Sequence, residues 1–413
     1  MNRTRLEVDP MPDMPPRSRE SFPSRYRNRW YARQRYGALA DWYAGYYWQG
    51  DPLADDAVQA LQAMGRGRGL RMFRETVERG GDPAGLPGAA RRLLDVSRTL
   101  PDWVDRDKMR LGARTYQRLG VSSSLILSSF SLMNGYRSSA GVKPLVWTGQ
   151  LDRMAPRRLA ETGRFVVETI QEDGLLPGHA GWKITLHVRL MHAVVRQALR
   201  RSPEWRAADW GMPINQADMA GTVIEFSSLM LRGARQIGFQ FTREEADAVM
   251  HLWCVSGWLS GVDPALLEHL SDERRAWHIA EMIDQIQPPA DDDSVALAQA
   301  LRGIFGAFAL SPFDRWMAPL LQRYHDGLVW TFNAPEVASA LEIPNRRWTT
   351  AVRGVSRVIR STERLRRNLP GANRLWAAAG NRMLRDHIEL LLEAREPDFV
   401  PRRVKGGDQR AVA

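Results

Sequence analysis

Cysteine is nearly missing from this chain. Cys254 is its one thiol, which excludes an intramolecular disulfide and any cysteine-built zinc or iron–sulfur site. It stands in the apolar stretch Leu252-Trp253-Cys254-Val255 and reads as a small buried hydrophobe. Lysine is scarce too: Lys108, Lys143, Lys183 and Lys405 aside, the 58 basic residues are arginines. The net charge of +11 is spread along the chain without any helix-turn-helix, zinc-finger or RNA-binding signature, so nucleic acid is not an expected partner. No run reaches the ~18 apolar residues of a membrane helix; Val121 to Met133 is too short and too rich in serine. Met1 to Glu20 holds prolines and charges without an apolar core, so no secretory signal is read there, and a soluble cytoplasmic protein is expected. Runs of alternating residues are also lacking, and so are repeats, which leaves no sheet to propose.

What is present is helix. Hydrophobic residues at 44% and charged residues at 25% over 413 positions suffice for a large buried core. An all-α fold is predicted: a flexible proline-bearing arm over residues 1–24, one large helical domain over 25–395, and a tail over 396–413. Residues 25–50 are crowded with aromatics, among them Trp30, Tyr36, Trp42, Tyr43 and Tyr47, with arginines interleaved. Base stacking or an interfacial membrane helix would use such a pattern, but packing onto the main body is the expected reading. Helix signals follow at 55–64, from Pro101-Asp102 onward, at 156–171, over Gln216 to Ile237, and after the capping box Thr242-Arg243-Glu244-Glu245. Pro288 to Asp293 is the clearest internal linker, ahead of C-terminal helices over 294–395.

The most informative segment is His187 to Arg196. On a helix, Thr185, Arg189, His192 and Arg196 fall within about 60° of one another, while the rest of the circumference is almost wholly apolar apart from His187. Such a helix is buried, and it takes two guanidinium groups inside with it. Buried arginines keep their charge and need an anion. Carboxylates from other helices would serve; so would the propionates of a haem whose iron takes a neutral His192. Nearby arginine charge disfavours protonation of the imidazole and keeps a nitrogen free for a metal. Three roles stay open for His192: hydrogen-bonded structural residue, metal or haem ligand, and acid–base catalyst.

A family resemblance bears on that choice. Thr148 to Leu151, Leu159 to Arg164, Val188 to Arg196, Pro213 to Asp218, His251 to Val255 and Gly261 to Pro264 occur in the order and spacing of the haem-b oxygenases that include the bacterial latex-clearing proteins and the MpaB-type oxygenase. The likeness is clearest between about 149 and 264, within a core of about 100–270, and little of it reaches the last hundred residues. It implies a globin-like helical core holding haem b, with His192 the proximal iron ligand and Arg189 and Arg196 beside it near the propionates. It also implies O2 as co-substrate and cleavage of a carbon–carbon double bond in an isoprenoid chain. The family carries an arginine with a threonine four residues on. Arg164 matches that arginine, with Glu168 four residues on and Thr169 one further, so these three are the expected oxygen-side residues; the bland alternative is an exposed i,i+4 pair. Lys183 is the candidate for a haem-capping lysine by polarity. The expected substrate is an unsaturated lipid or terpenoid, since polymeric rubber would not meet a cytoplasmic enzyme. A haem carrier or sensor on the same fold is the nearest alternative. A haem-free scaffold whose aromatic N-terminal region meets a membrane or partner is the other.

Overall fold

Acidic and amide caps written into the sequence start many of the helices. The computed structural model describes residues 22–392, apart from 66, 81, 148–150, 308–310 and 345. The tail expected over 396–413 and most of the arm expected over 1–24 lie outside the described residues. The described residues contain helices and no strand.

In chain order they are α1 (Arg29–Tyr36), α2 (Ala38–Gly45), α3 (Pro52–Ala63), α4 (Arg68–Arg79), α5 (Gly88–Arg98) and α6 (Arg106–Gln117). Next come α7 (Val121–Ile126), α8 (Leu132–Tyr136), α9 (Lys143–Trp147), α10 (Leu151–Thr169), α11 (Ala180–Arg201) and α12 (Ala207–Trp210). The chain continues through α13 (Gln216–Phe226), α14 (Ser228–Gln236), α15 (Arg243–Leu259), α16 (Pro264–Leu270) and α17 (Glu273–Ile286). It ends with α18 (Asp292–Arg302), α19 (Ile304–Ala307), α20 (Pro312–Phe332), α21 (Pro335–Ala340), α22 (Thr349–Asn368) and α23 (Ala372–Leu392).

Asp51 accepts from the Ala54 N–H at the head of α3, with Pro52 in the first turn where no donor is needed. Asn215 caps α13, and the expected box at Thr242 forms in full with Glu245 ahead of α15. Two expectations shift. The helix expected to open at Pro101-Asp102 is capped instead by Asp105, whose carboxylate takes the N–H groups of Asp107 and Lys108. The span Gln216 to Ile237 is two helices, broken at Ser227, whose hydroxyl bonds back to the Val223 carbonyl at 2.6 Å. Ser24, one of the described residues at the end of the expected arm, has its N–H on the Ala208 carbonyl at 2.9 Å.

The aromatic segment 25–50 packs inward, as expected. Trp42, Tyr43 and Tyr47 are buried in the main core, whereas Trp30 is 76% exposed. That core centres on Trp253 of α15, stacked on Phe226 at 4.7 Å and flanked by Tyr116 at 5.6 Å. Helices α6 and α15 approach closely because Gly112 lies against the Ala248 carbonyl, where a side chain would collide. No described helix is long and apolar enough to cross a membrane.

Candidate functional site

A large cavity of about 1140 Å³ opens between α10, α11, α13 and α15, with α8 and α17 on its rim. This is above the ~300–1,000 Å³ of ordinary small-molecule pockets. Its walls are mostly apolar, with Phe130, Leu159, Phe165, Met191, Phe226 and Trp253 among them.

Helix α11 turns Val188, Met191, His192 and Val195 to the cavity, the i, i+3, i+4, i+7 spacing of one helix face. His192 is half-buried, and its remaining surface looks into that space. Burial, reinforced by the charge of Arg196, pushes its imidazole down to about 4, so the ring is neutral at physiological pH. Its Nδ1 is buried without a hydrogen-bond partner among the described residues. A neutral imidazole with an unspent nitrogen on a cavity wall is what an axial ligand requires.

The two arginines beside it have partners of the other kind left open by the sequence. Arg189 donates to both carboxylate oxygens of Asp51, at 2.6 and 3.0 Å, and to the Leu259 carbonyl at 3.2 Å. Arg196 donates to Asp55 at 2.6 Å and, at 3.3 and 3.2 Å, to the carbonyl of Ile214. Expected near propionates, these guanidiniums are therefore already neutralised by the first turn of α3, and they fix α11 to it. Gly261, at φ +91°, passes where any side chain would strike Asp51. Ile214 lines the cavity at φ +49°, a strained setting for a β-branched residue, and Arg196 holds its carbonyl.

The remaining expected residues do not gather at this wall. Arg164 and Glu168 form an i,i+4 pair at 2.8 Å with Glu168 buried rather than exposed, and they lie off the cavity together with the fully buried Thr169. Lys183 reaches the Glu78 carbonyl at 2.6 Å, also away from the cavity. His251 accepts from the Asp105 N–H at 3.0 Å and meets the Trp103 ring, a satisfied structural histidine. Cys254 is buried, its thiol pushed up to about 12.

Helix α10 instead presents Arg158, Glu161, Thr162 and Phe165, again spaced i, i+3, i+4, i+7. Arg158 and Thr162 are an arginine with a threonine four residues on, and this spacing was the signal available in the sequence. Burial lowers the Arg158 guanidinium somewhat, and its Nη1 donates to the Leu145 carbonyl at 3.0 Å. Across the cavity wall, Glu225 of α13 was missed altogether; burial, with Asp218 adding, pushes its carboxyl up to about 8. At the rim Arg137 pairs with Asp284, and Arg232 lies over the Trp277 ring at 3.7 Å. No cluster of three histidine, cysteine or acidic side chains fit to hold a metal occurs among the described residues.

Comparison with known proteins gives three findings. Residues 116–364 match the family model described as ER-bound oxygenase mpaB/B'/Rubber oxygenase, catalytic domain. A rubber oxygenase of Streptomyces sp. (strain K30) is 28% identical over 227 residues, 54% of this chain and 54% of that protein, so the chain spans about half the length of the curated relative it matches. The solved structure of the latex clearing protein LCP in the closed state superposes with a TM-score of 0.58 at 22% identity, over 88% of this chain and 95% of that one.

Proposed function

From the premise that the chain belongs to the family of MpaB-type and rubber oxygenases, we propose that it is a haem b-dependent oxygenase that cleaves a carbon–carbon double bond in an unsaturated apolar chain. The observation that carries this reading is His192: neutral, unpartnered at Nδ1, and set on the wall of an apolar cavity larger than a small ligand needs. Bound there, haem would supply the oxygen chemistry.

The chain's own residues supply the rest. His192 would hold the haem iron. Arg189 and Arg196 act as positioning residues, holding α11 against α3 so that the imidazole keeps one orientation. The oxygen-side role first read at Arg164, Glu168 and Thr169 passes to Arg158, Glu161 and Thr162, which reach the cavity. The apolar wall of Phe165, Phe226 and Trp253 excludes water from the reacting bond. One O2 is consumed for each double bond broken, with one oxygen atom on each new carbonyl, so no external reductant is needed. A short isoprenoid or terpenoid suits an enclosed space of this size.

The test is spectroscopic first and chemical second. Protein expressed with ample haem is expected to show a Soret band that His192→Ala loses in large part, with folding checked by circular dichroism. Arg158→Ala is expected to keep the band and to lower O2 uptake with terpenoid alkenes at least tenfold. A colourless wild-type protein overturns the reading, and a red protein without turnover on any alkene leaves a haem carrier.

A further inference from the structure

Glu225 stands out in a cavity whose lining is mainly hydrocarbon. Its carboxyl makes no hydrogen bond or ion pair with any described residue; only its backbone carbonyl is engaged, by the Ser131 hydroxyl at 2.7 Å. The neighbouring acid, Asp218, is by contrast fully partnered by Arg25 and Asn215. Space for the Glu225 head is reserved by Gly135 of α8, where a Cβ would fall 2.5 Å from Oε1. The titratable groups facing it are Asp218 on its own helix, Tyr43 of α2 and Tyr136 of α8. Tyr43 already donates to the Ala217 carbonyl at 2.7 Å.

Held at about 8, this carboxyl is protonated at neutral pH, so it is a hydrogen-bond donor rather than an anion. A donor left without an acceptor in an apolar enclosure is costly, and a ligand that brings an acceptor recovers the loss. An ammonium end would face Arg137, Arg158 and Arg232 on the same walls, an objection that an uncharged oxygen acceptor does not meet.

We propose that Glu225 is the docking point for the polar end of the ligand, so that the site takes an unsaturated chain ending in an alcohol, ether or carbonyl oxygen in preference to a plain hydrocarbon. The double bonds of that chain rest on the oxygenase reading above; its polar end rests on the cavity alone.

Equilibrium dialysis of the haem-loaded protein separates the two. Farnesyl methyl ether, an acceptor only, and farnesene, a hydrocarbon built on the same fifteen-carbon skeleton, are compared at pH 6.5. The ether is expected to bind about tenfold tighter. Glu225→Gln, which keeps a donor, retains most of that preference, and Glu225→Leu removes it. In the wild type the preference fades above about pH 8, as the donor proton leaves; in Glu225→Gln it does not change with pH. Equal affinity for both probes in the wild type overturns the proposal, as does a Gln variant no more selective than Leu or a Leu variant that weakens both probes alike. Selective binding without O2 consumption would instead refute the oxygenase reading and leave this one standing.

Discussion

Arg189 and Asp51 form a buried ion pair; besides each other, the guanidinium donates to the Leu259 carbonyl and the carboxylate accepts from the Ala54 N–H. Removing one member strands the other away from water, which costs about 3–5 kcal/mol, whereas replacing both by apolar groups can be close to neutral. Asp51 carries a second duty as the cap of α3, worth ~1 kcal/mol. Asp51→Ala is therefore expected to lose more stability in urea denaturation than Arg189→Met. The double variant should lose less than the two singles added together. Additive losses would mean that the pair is not coupled. Because these residues position His192 without touching a ligand, Arg189→Met should also broaden or shift the Soret band where it still folds, an effect that general destabilisation does not produce.

At the scale of elements, the contact of α6 with α15 depends on the missing side chain at Gly112. Gly112→Val has to push the two helices apart at the Ala248 carbonyl, and overpacking of this kind costs about 1–3 kcal/mol. Thermal unfolding should show the drop, and Tyr116 and Trp253, packed at 5.6 Å across the same pair, should report it in near-ultraviolet circular dichroism. Local signals such as these were partly legible. The Thr242 box, the buried face of α11 and the inward packing of residues 25–50 follow from spacing and chemistry that lie within a few residues of one another. Helix α10 was harder. Arg158 and Arg164 both sit on it, six residues and hence about 120° apart, and tertiary packing, with Gly163 close against Ile388 of α23, decides which face is turned inward. The same holds for Asp51 and Asp55: nothing near them announces partners at 189 and 196, because that pairing is made by the fold. Glu225 sits in an ordinary amphipathic stretch, and its character comes from burial in the fold, with Asp218 adding.

For the molecule as a whole, these buried groups set how stability changes with pH. Burial pushes His187, His192 and His325 each down to about 4 in the folded chain, against an ordinary value of 6.5. Between these values the unfolded chain binds protons that the folded one refuses, so their contribution is present above pH 6.5 and is lost as pH falls toward 4. Glu225 acts in the opposite sense. Its folded value of about 8 lies above the ordinary 4.5, so the folded chain holds a proton that the unfolded one has released, and stability declines as pH rises from 4.5 to 8. Near pH 5.5 these three histidines pull one way and this carboxyl the other, and the four by themselves give unfolding a net uptake of about two protons, or on the order of 3 kcal/mol per pH unit; burial also lowers His251, His278 and His387, which add in the sense of the histidines. Unfolding free energies measured between pH 5 and 6 should therefore climb steeply with pH. Glu225→Gln should steepen the slope by about one proton. His325→Leu should flatten it by about one, even though loss of the contact with Ser128 at 3.2 Å lowers stability at every pH, because the slope counts protons and is blind to a constant offset. A slope unchanged in both variants would mean that neither group is held out of water by the fold, and the same argument for a neutral His192 would lose its support.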